Sequence, residues 1–326
     1  MCILADETAS SYNTHMRLLF FFGLVFLGFS SCIEEVELDL GDSVRERLIV
    51  LSNFNTTGAI EVVVSSSRGV ISNPDDAFIY HEDADVRLYN AADELLETLC
   101  LAAMIGRGEV PFYTTKNFDP QPGELYTVRV TVPGFAEMVE ATGSIPEAVR
   151  IDEIEFDNTY NVEDPRRTMI DFNVTVTFTD PAVVQNFYHL TFFQELLPTT
   201  ASDSAQVGEV EVVSLPVIGA IDNPPLLPYV DNRGALFTDA SFDGETVIYH
   251  FSGKLVFNSQ RYTPRNFVTE LRTVSQSYYN YHASITRQKN NSSPLGSGVD
   301  LDGNSNGGVG VFAGYNSSTG SNSINN

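Results

Sequence analysis

Residues 300–307, with the sequence DLDGNSNG, have the oxygen-rich spacing of a calcium-binding loop. Side chains that carry oxygen stand at alternate positions, as carboxylate and amide ligands do in such loops. An EF-hand also needs Gly at the sixth loop position and a bidentate Glu at the twelfth, where this chain has Ser305 and Val311. Since Asn and Gly also favour tight turns with positive φ, we predict a structural turn and no metal site.

Other residue types with catalytic potential lack the spacing that catalysis needs. The chain has five scattered histidines, none of them in an HExxH or comparable metal-ligand pattern: His15, His81, His189, His250 and His282. It has no nucleophile elbow, phosphate-binding loop or dinucleotide fingerprint. The sequence therefore predicts no catalytic residue and no cofactor, and an unrecognised hydrolase is only the third functional alternative.

Cys32 is the residue with the clearest chemical assignment. Arg17 precedes an apolar run, Leu18 to Phe29, which breaks into Ser30 and Ser31 directly before this cysteine. The run is shorter than the roughly 20 residues that span a bilayer, so it predicts a secretory signal that is removed. The segment LGFSSC at residues 27–32 resembles the lipobox of bacterial lipoproteins. We therefore predict acylation of Cys32, with Met16 as the start of the signal and an ordinary signal peptide as the alternative.

The acidic composition disfavours partners that are themselves anionic. The chain has 18 basic and 43 acidic residues, a net charge of −25. Removal of residues 1–31 takes one arginine, one aspartate and one glutamate and leaves the mature charge at about −24. Such a charge repels phosphate backbones, so we predict no nucleic-acid partner.

The cysteine content predicts that the fold is stabilised by burial of apolar side chains without an intrachain disulfide. Only Cys32 and Cys100 remain after cleavage, and acylation of the first excludes an intrachain disulfide. Cys100 lies between Leu99 and Leu101. We predict that its thiol is buried in the core and slow to react.

The chain divides into an exported anchor and a mainly β body. Residues 1–31 form the leader and signal, and residues 32–46 form an acidic tether. Within the tether, residues 33–39, IEEVELD, resemble the surface-export signal of Bacteroidota lipoproteins. The alternative is a solvated linker without a signal. Short β-rich runs between turn residues predict an immunoglobulin-like β-sandwich over residues 47–145. A second β-rich domain is predicted over residues 146–315 and a disordered polar tail over residues 316–326.

The second block has its own recognisable elements. Residues 170–178, IDFNVTVTF, alternate strictly between apolar and polar and predict a half-buried strand. Tyr278, Tyr281, His282 and Ile285 share one helical face, and Ser275 can cap a helix over residues 276–288. The stretch from Pro216 to Asp239 predicts an extended loop, which is either functional or covers a sheet edge.

Four motifs in order resemble a family of Bacteroidota lipoproteins grouped as domain of unknown function 4249. They are PGELY at residues 122–126, TDASFDG at 238–244, SQSYYNY at 275–281 and NSNGGVGVFAGY at 304–315. The resemblance spans nearly the whole mature chain. It implies a genetic neighbourhood with TonB-dependent outer-membrane receptors, and it implies no enzymatic activity.

These observations together lead to an expectation of location and role. We expect a lipid-anchored protein of the outer membrane that faces the cell exterior and binds a ligand of unknown identity or assists a TonB-dependent receptor. The competing expectation is a structural or adhesive envelope lipoprotein without a transport role. Two or three acyl chains hold such a body firmly, because each buried CH₂ contributes about 0.8 kcal/mol.

Overall fold

A computed structural model describes residues 46–67, 79–102, 110–164, 166–199, 209–220, 222–223, 225–290 and 300–324. Cys32, the signal and the tether as far as residue 45 lie outside these residues. The first block of described strands comprises β1 (Leu48–Phe54), β2 (Glu61–Ser66), β3 (Ile79–Tyr80), β4 (Asp85–Asn90), β5 (Leu95–Thr98), β6 (Cys100–Leu101), β7 (Tyr113–Thr114), β8 (Leu125–Thr131) and β9 (Val139–Ser144).

The second block contains long strands and one helix. Its strands before the helix are β10 (Ile151–Asp164), β11 (Arg167–Thr179), β12 (Phe187–Pro198), β13 (Glu211–Ser214), β14 (Val217–Gly219), β15 (Leu227–Pro228), β16 (Ala235–Thr238), β17 (Thr246–Phe257) and β18 (Tyr262–Val274). A 3-10 turn covers Val230–Asn232, helix α1 covers Gln276–Asn290, and the chain continues with β19 (Ser305–Asn306) and β20 (Val309–Ser323). The prediction of a mainly β protein with one late helix is confirmed for the described residues.

Three sheets carry these strands. The largest has the order β15-β16-β12-β18-β20-β1-β2-β7-β6, with β13 added beside β12 and β3 beside β2. A four-stranded sheet has the order β10-β11-β17-β14, and a five-stranded sheet the order β19-β9-β8-β4-β5. The immunoglobulin-like topology of the first block remains a prediction.

Strand alternation explains why the second block buries an aromatic core. In β11 the residues from Ile170 to Phe178 that face inward are nearly inaccessible, while the intervening polar residues face outward. Strand β17 repeats this pattern with Tyr249 and Phe251 on the inner face. The tilted rings of Phe172 and Phe267 pack against each other within this core, with centroids 4.8 Å apart. Period-two patterning of this kind is what a sheet with one buried face requires.

Helix α1 begins where the sequence predicts and packs against the largest sheet. The Ser275 hydroxyl accepts a hydrogen bond from the Tyr278 N–H at 3.4 Å, as an N-cap side chain does. Tyr278, Tyr281 and His282 are buried, and Ile285 is half-buried against the same cluster. The helix therefore covers the sheet with the predicted face. No helix in the described part of the chain is long and apolar enough to cross a membrane.

Strand β20 corrects the prediction of a disordered tail. Residues 316–323 continue β20, where they pair antiparallel with β18, while Val309 to Gly314 pair in parallel with β1. Phe312 stacks on Phe54 in the first core, with centroids 4.5 Å apart, and Val311 and Ala313 pack in the cluster beneath α1. A polar segment becomes ordered here because pairing with β18 satisfies its backbone hydrogen bonds along one edge.

The two blocks share one body although their cores are distinct. One core lies within residues 48–145, with Phe312 added from β20, and the other within residues 149–324. Residues Arg45–Asn326 form one compact unit. The continuous sheet through β18, β20 and β1 is the physical connection between the cores.

Candidate binding groove

A groove flanks the edge strand β14. Three adjoining cavities of about 530, 450 and 320 Å³ share Ile218 in their linings, and we call them together the β14 groove. The Ile218 side chain is 70% exposed at the centre of this groove. Open concave sites of this size with an apolar centre are where proteins commonly bind small ligands or extended segments.

The polar wall of the groove comes from the outward residues of β11 and β17. Asp171 and Lys254 stand opposite each other in register, with Oδ1 and Nζ 3.5 Å apart. Four residues further along β11, the Thr175 hydroxyl and Nδ1 of His250 are within hydrogen-bond distance at 3.1 Å. This wall offers hydroxyl, imidazole and paired charged groups that are accessible to a bound molecule.

Backbone and amide contacts hold β14 against β17. The Asn223 amide donates to the His250 carbonyl at 2.8 Å and accepts from the His250 N–H at 2.9 Å. Gly253 lies opposite Val217, where a Cβ would approach the Phe172 ring to 2.5 Å, so only glycine allows this close packing. The prediction of an extended loop from Pro216 to Asp239 is wrong, because this segment contains β14, β15 and β16, which add strands to the edges of two sheets. Part of the same segment lines the groove.

A partly buried ionic network lies between α1 and the largest sheet. Arg272 Nη2 and Glu270 Oε2 are 2.7 Å apart, and their side chains are 21% and 13% exposed. Ser317 donates to the other Glu270 oxygen at 2.6 Å, and the Arg272 guanidinium lies 4.8 Å from the Tyr315 ring centroid. Burial alone would raise the pKa of Glu270, but hydrogen bonding and the charge of Arg272 lower it. The pair is thus held ionised inside the fold.

Two of the scattered histidines meet beside this network. The His189 and His282 rings have centroids 6.4 Å apart, and each ring bonds through Nδ1 to a tyrosine hydroxyl, Tyr278 at 3.0 Å and Tyr229 at 3.1 Å. Burial, the Arg272 charge and His282 lower the pKa of His189. Burial and Arg272 lower the pKa of His282 to about 4. Both imidazoles are therefore neutral near pH 7.

The lowered pKa of His282 predicts that the protein loses stability on mild acidification. The pKa of His282 is near 6.5 in the unfolded chain and about 4 in the folded protein. The contribution of the neutral His282 to the free energy of unfolding is therefore complete above pH 6.5 and declines as the pH falls toward 4. The decline is on the order of 3 kcal/mol for His282. The groups that face this ring are Tyr229, Tyr278, Tyr281, His189, Arg272 and Asn53.

Urea unfolding of the native chain and of His282→Gln between pH 7.5 and 4 measures this dependence. We expect the variant to be less stable at pH 7.5 but to lose less stability on acidification. Equal losses in both chains would contradict the assignment to His282.

Three carboxylates gather at the start of β12. Asp180, Asp239 and Asp243 each place an oxygen within 4.8 Å of the others, and the first two are 3% exposed. Asp180 accepts hydrogen bonds from the Tyr188 hydroxyl and from the Gly244 N–H. Burial, and then the neighbouring carboxylates, raises the pKa of Asp239. Oxygen donors of this type suit a hard cation, and here several of them already cap protein N–H and O–H groups.

The other sequence-predicted sites have structural positions. Asn304 in the calcium-like string donates to the Thr142 and Phe312 carbonyls at 2.7 and 2.9 Å and accepts from the Phe312 N–H, as a structural turn requires. The prediction that Cys100 is buried is wrong, because its side chain is partly exposed. Leu99 alone of this apolar trio enters the core, where it is 5% exposed, whereas the two residues of β6 that follow it are accessible to solvent.

A family model described as Domain of unknown function (DUF4249) matches residues 33–321. The chain belongs to this family. No curated protein sequence matches it. Three of the motifs that carried the resemblance meet around α1 and β12 in the structure. In this family member they supply two of the clustered aspartates, the N-terminal cap of α1 and the glycine-rich entry to β20.

Proposed function

We propose that this family member is an exported lipoprotein of Bacteroidota, held on the outer surface of the outer membrane by acyl chains on Cys32. We further propose that it binds a ligand or assists a TonB-dependent receptor. The β14 groove carries this proposal, since it combines an exposed apolar centre with accessible polar groups. The resemblance of residues 27–32 to a lipobox supports the location.

The acyl anchor would allow a weak contact with a receptor to persist. Confinement to one membrane raises the effective concentration of any neighbour, so a modest interface persists. The tether ahead of β1 has about 15 residues, which span tens of ångströms if extended at roughly 3.3 Å each. The body has room to reach over a neighbouring receptor.

The groove itself is close to electrically neutral although the chain is strongly acidic. Asp171 and Lys254 compensate each other, and the remaining polar lining offers amide, hydroxyl and imidazole groups. This favours a ligand or segment that forms hydrogen bonds and buries an apolar group against Ile218. Anionic polymers remain disfavoured by the overall charge.

Extraction in mild detergent at native expression tests the role. We expect a TonB-dependent receptor to copurify, and we expect Cys32→Ala to lose both acyl labelling and the receptor. Ile218→Asp should reduce uptake of the receptor's substrate while the protein stays folded and anchored. Leu125→Asp is the matched control, since Leu125 is 48% exposed on a strand of the first block.

Two outcomes would favour the other functional classes. Folded protein that emerges alone after crosslinking, with uptake intact when the gene is deleted, supports a structural or adhesive envelope protein. Turnover of members of a panel of glycans and peptides supports a hydrolase.

A further inference from the structure

The connection between β11 and β12 presents apolar side chains to solvent. Pro181–Val184, which we call the apolar tip, includes Val183 at 91% and Val184 at 58% exposure. Single exposed apolar residues are common on protein surfaces, but adjacent ones at the end of a loop are a more specific signal of an interface. None of the tip residues lines the β14 groove.

The backbone of the tip is strained at the most exposed position. Val183 has φ +77°, a conformation that β-branched residues rarely adopt. Its N–H donates to Oδ1 of Asp243 at 2.8 Å, which holds the strained turn in place. Gly or Asn would adopt this turn at lower cost. The turn geometry therefore does not explain why a valine stands there, whereas a contact made by its side chain does.

Carboxylates surround the base of the tip. We call the exposed carboxylates Asp152, Asp243 and Glu245 the acidic collar. Asp180 follows Thr179, whose hydroxyl donates to Asp152 at 2.8 Å, and the Asp180 N–H donates to the Glu245 carbonyl. Residues 178–188 and 238–248 contain no Lys or Arg. An apolar tip with a negative surround is complementary to an apolar socket with a basic rim, and it is repelled by anionic headgroups.

We propose that the apolar tip docks into a protein partner whose apolar socket is bordered by lysine or arginine side chains. Val183 and Val184 act as the anchors, and the acidic collar orients the approach. The strained backbone presents Val183 away from the body. This interaction surface is additional to the β14 groove, and it does not depend on a transport role.

Photo-crosslinking of the full-length, anchored chain in intact cells tests the proposal. A photoreactive residue replaces the exposed Gln185, beside the tip, so that both valines remain. Mass spectrometry then identifies the crosslinked peptide, which we expect to be a protein segment with an apolar stretch flanked by Lys or Arg. The substitutions Val183→Gly with Val184→Ser should reduce this crosslink at least about tenfold, since truncated interface anchors commonly cost that much. Glu245→Lys should also weaken it.

Stability separates docking from a structural role. Val183→Gly relieves the positive φ, so the doubly substituted chain should melt no lower than the native chain while it loses the crosslink. Leu125→Ser is the matched control and should leave the crosslink unchanged. Crosslinks to lipid, to a second copy of this chain, or to a segment without basic residues would overturn the proposal, as would a crosslink that survives the loss of both valines.

Discussion

Arg272→Ala should destabilise the protein by about 3 kcal/mol, because it leaves the partly buried Glu270 carboxylate without its cation. Glu270 would keep the Ser317 hydroxyl but lose the contact at 2.7 Å that holds it ionised. The Tyr315 ring would also lose the guanidinium beside it. The midpoint of urea unfolding at pH 7.5 measures this effect.

Lys254→Ala provides the matched comparison. Its ion pair with Asp171 is exposed, with side-chain accessibilities of 59% and 49%, so we expect a loss of at most about 1 kcal/mol. The double substitution Glu270→Gln with Arg272→Met should recover part of the stability, since no unpaired charge then remains at this partly buried position. If Arg272→Ala costs no more than Lys254→Ala, the partial burial of the Glu270–Arg272 pair has no special effect on stability.

Local patterns predicted the elements whose apolar and polar residues alternate with a clear period. Strand β11 was predictable because its buried face is apolar. Helix α1 was predictable because its aromatic residues recur at helical spacing and Ser275 marks its start. Strand β18 is different, since it contains Pro264 and the charged residues Glu270 and Arg272. The proline lies at a register shift opposite β12, and the charged residues pair with each other, so tertiary contacts offset unfavourable local signals.

Sites formed by residues from distant segments of the chain could not be predicted from local sequence patterns. Asp180 meets Asp239 and Asp243 only because β12 returns beside β16, and His189 meets His282 only because α1 packs on β12. Two of the aspartates lie in a motif that marked the family. That motif was the available signal for the cluster, but the third carboxylate has no local marker.

Gly310→Ala should cost about 3 kcal/mol or more, because it combines an unfavourable backbone conformation with a steric clash. Gly310 has φ +122°, and a Cβ would lie 2.1 Å from the Val50 carbonyl oxygen. The position pairs with Val50 where β20 enters the sheet beside β1. Strain here would separate Phe312 from the first core and Val311 from the cluster beneath α1. We therefore expect thermal unfolding to shift to lower temperature as a single transition, because the first core and the cluster beneath α1 both depend on this strand.

Substitutions at two other glycines separate the backbone cost of Gly310→Ala from its steric cost. Gly58 has open space and no positive φ, so Gly58→Ala should change stability by less than about 0.5 kcal/mol. Gly123 has φ +80° with open space, so Gly123→Ala isolates the backbone cost at about 1 kcal/mol. The loss in the free energy of unfolding should be larger for Gly310→Ala than for Gly123→Ala, and the difference measures the contribution of close packing between β20 and β1. If the two substitutions cost the same, close packing at Gly310 contributes nothing, and the connection between the cores must rest on the side chains of β20 instead.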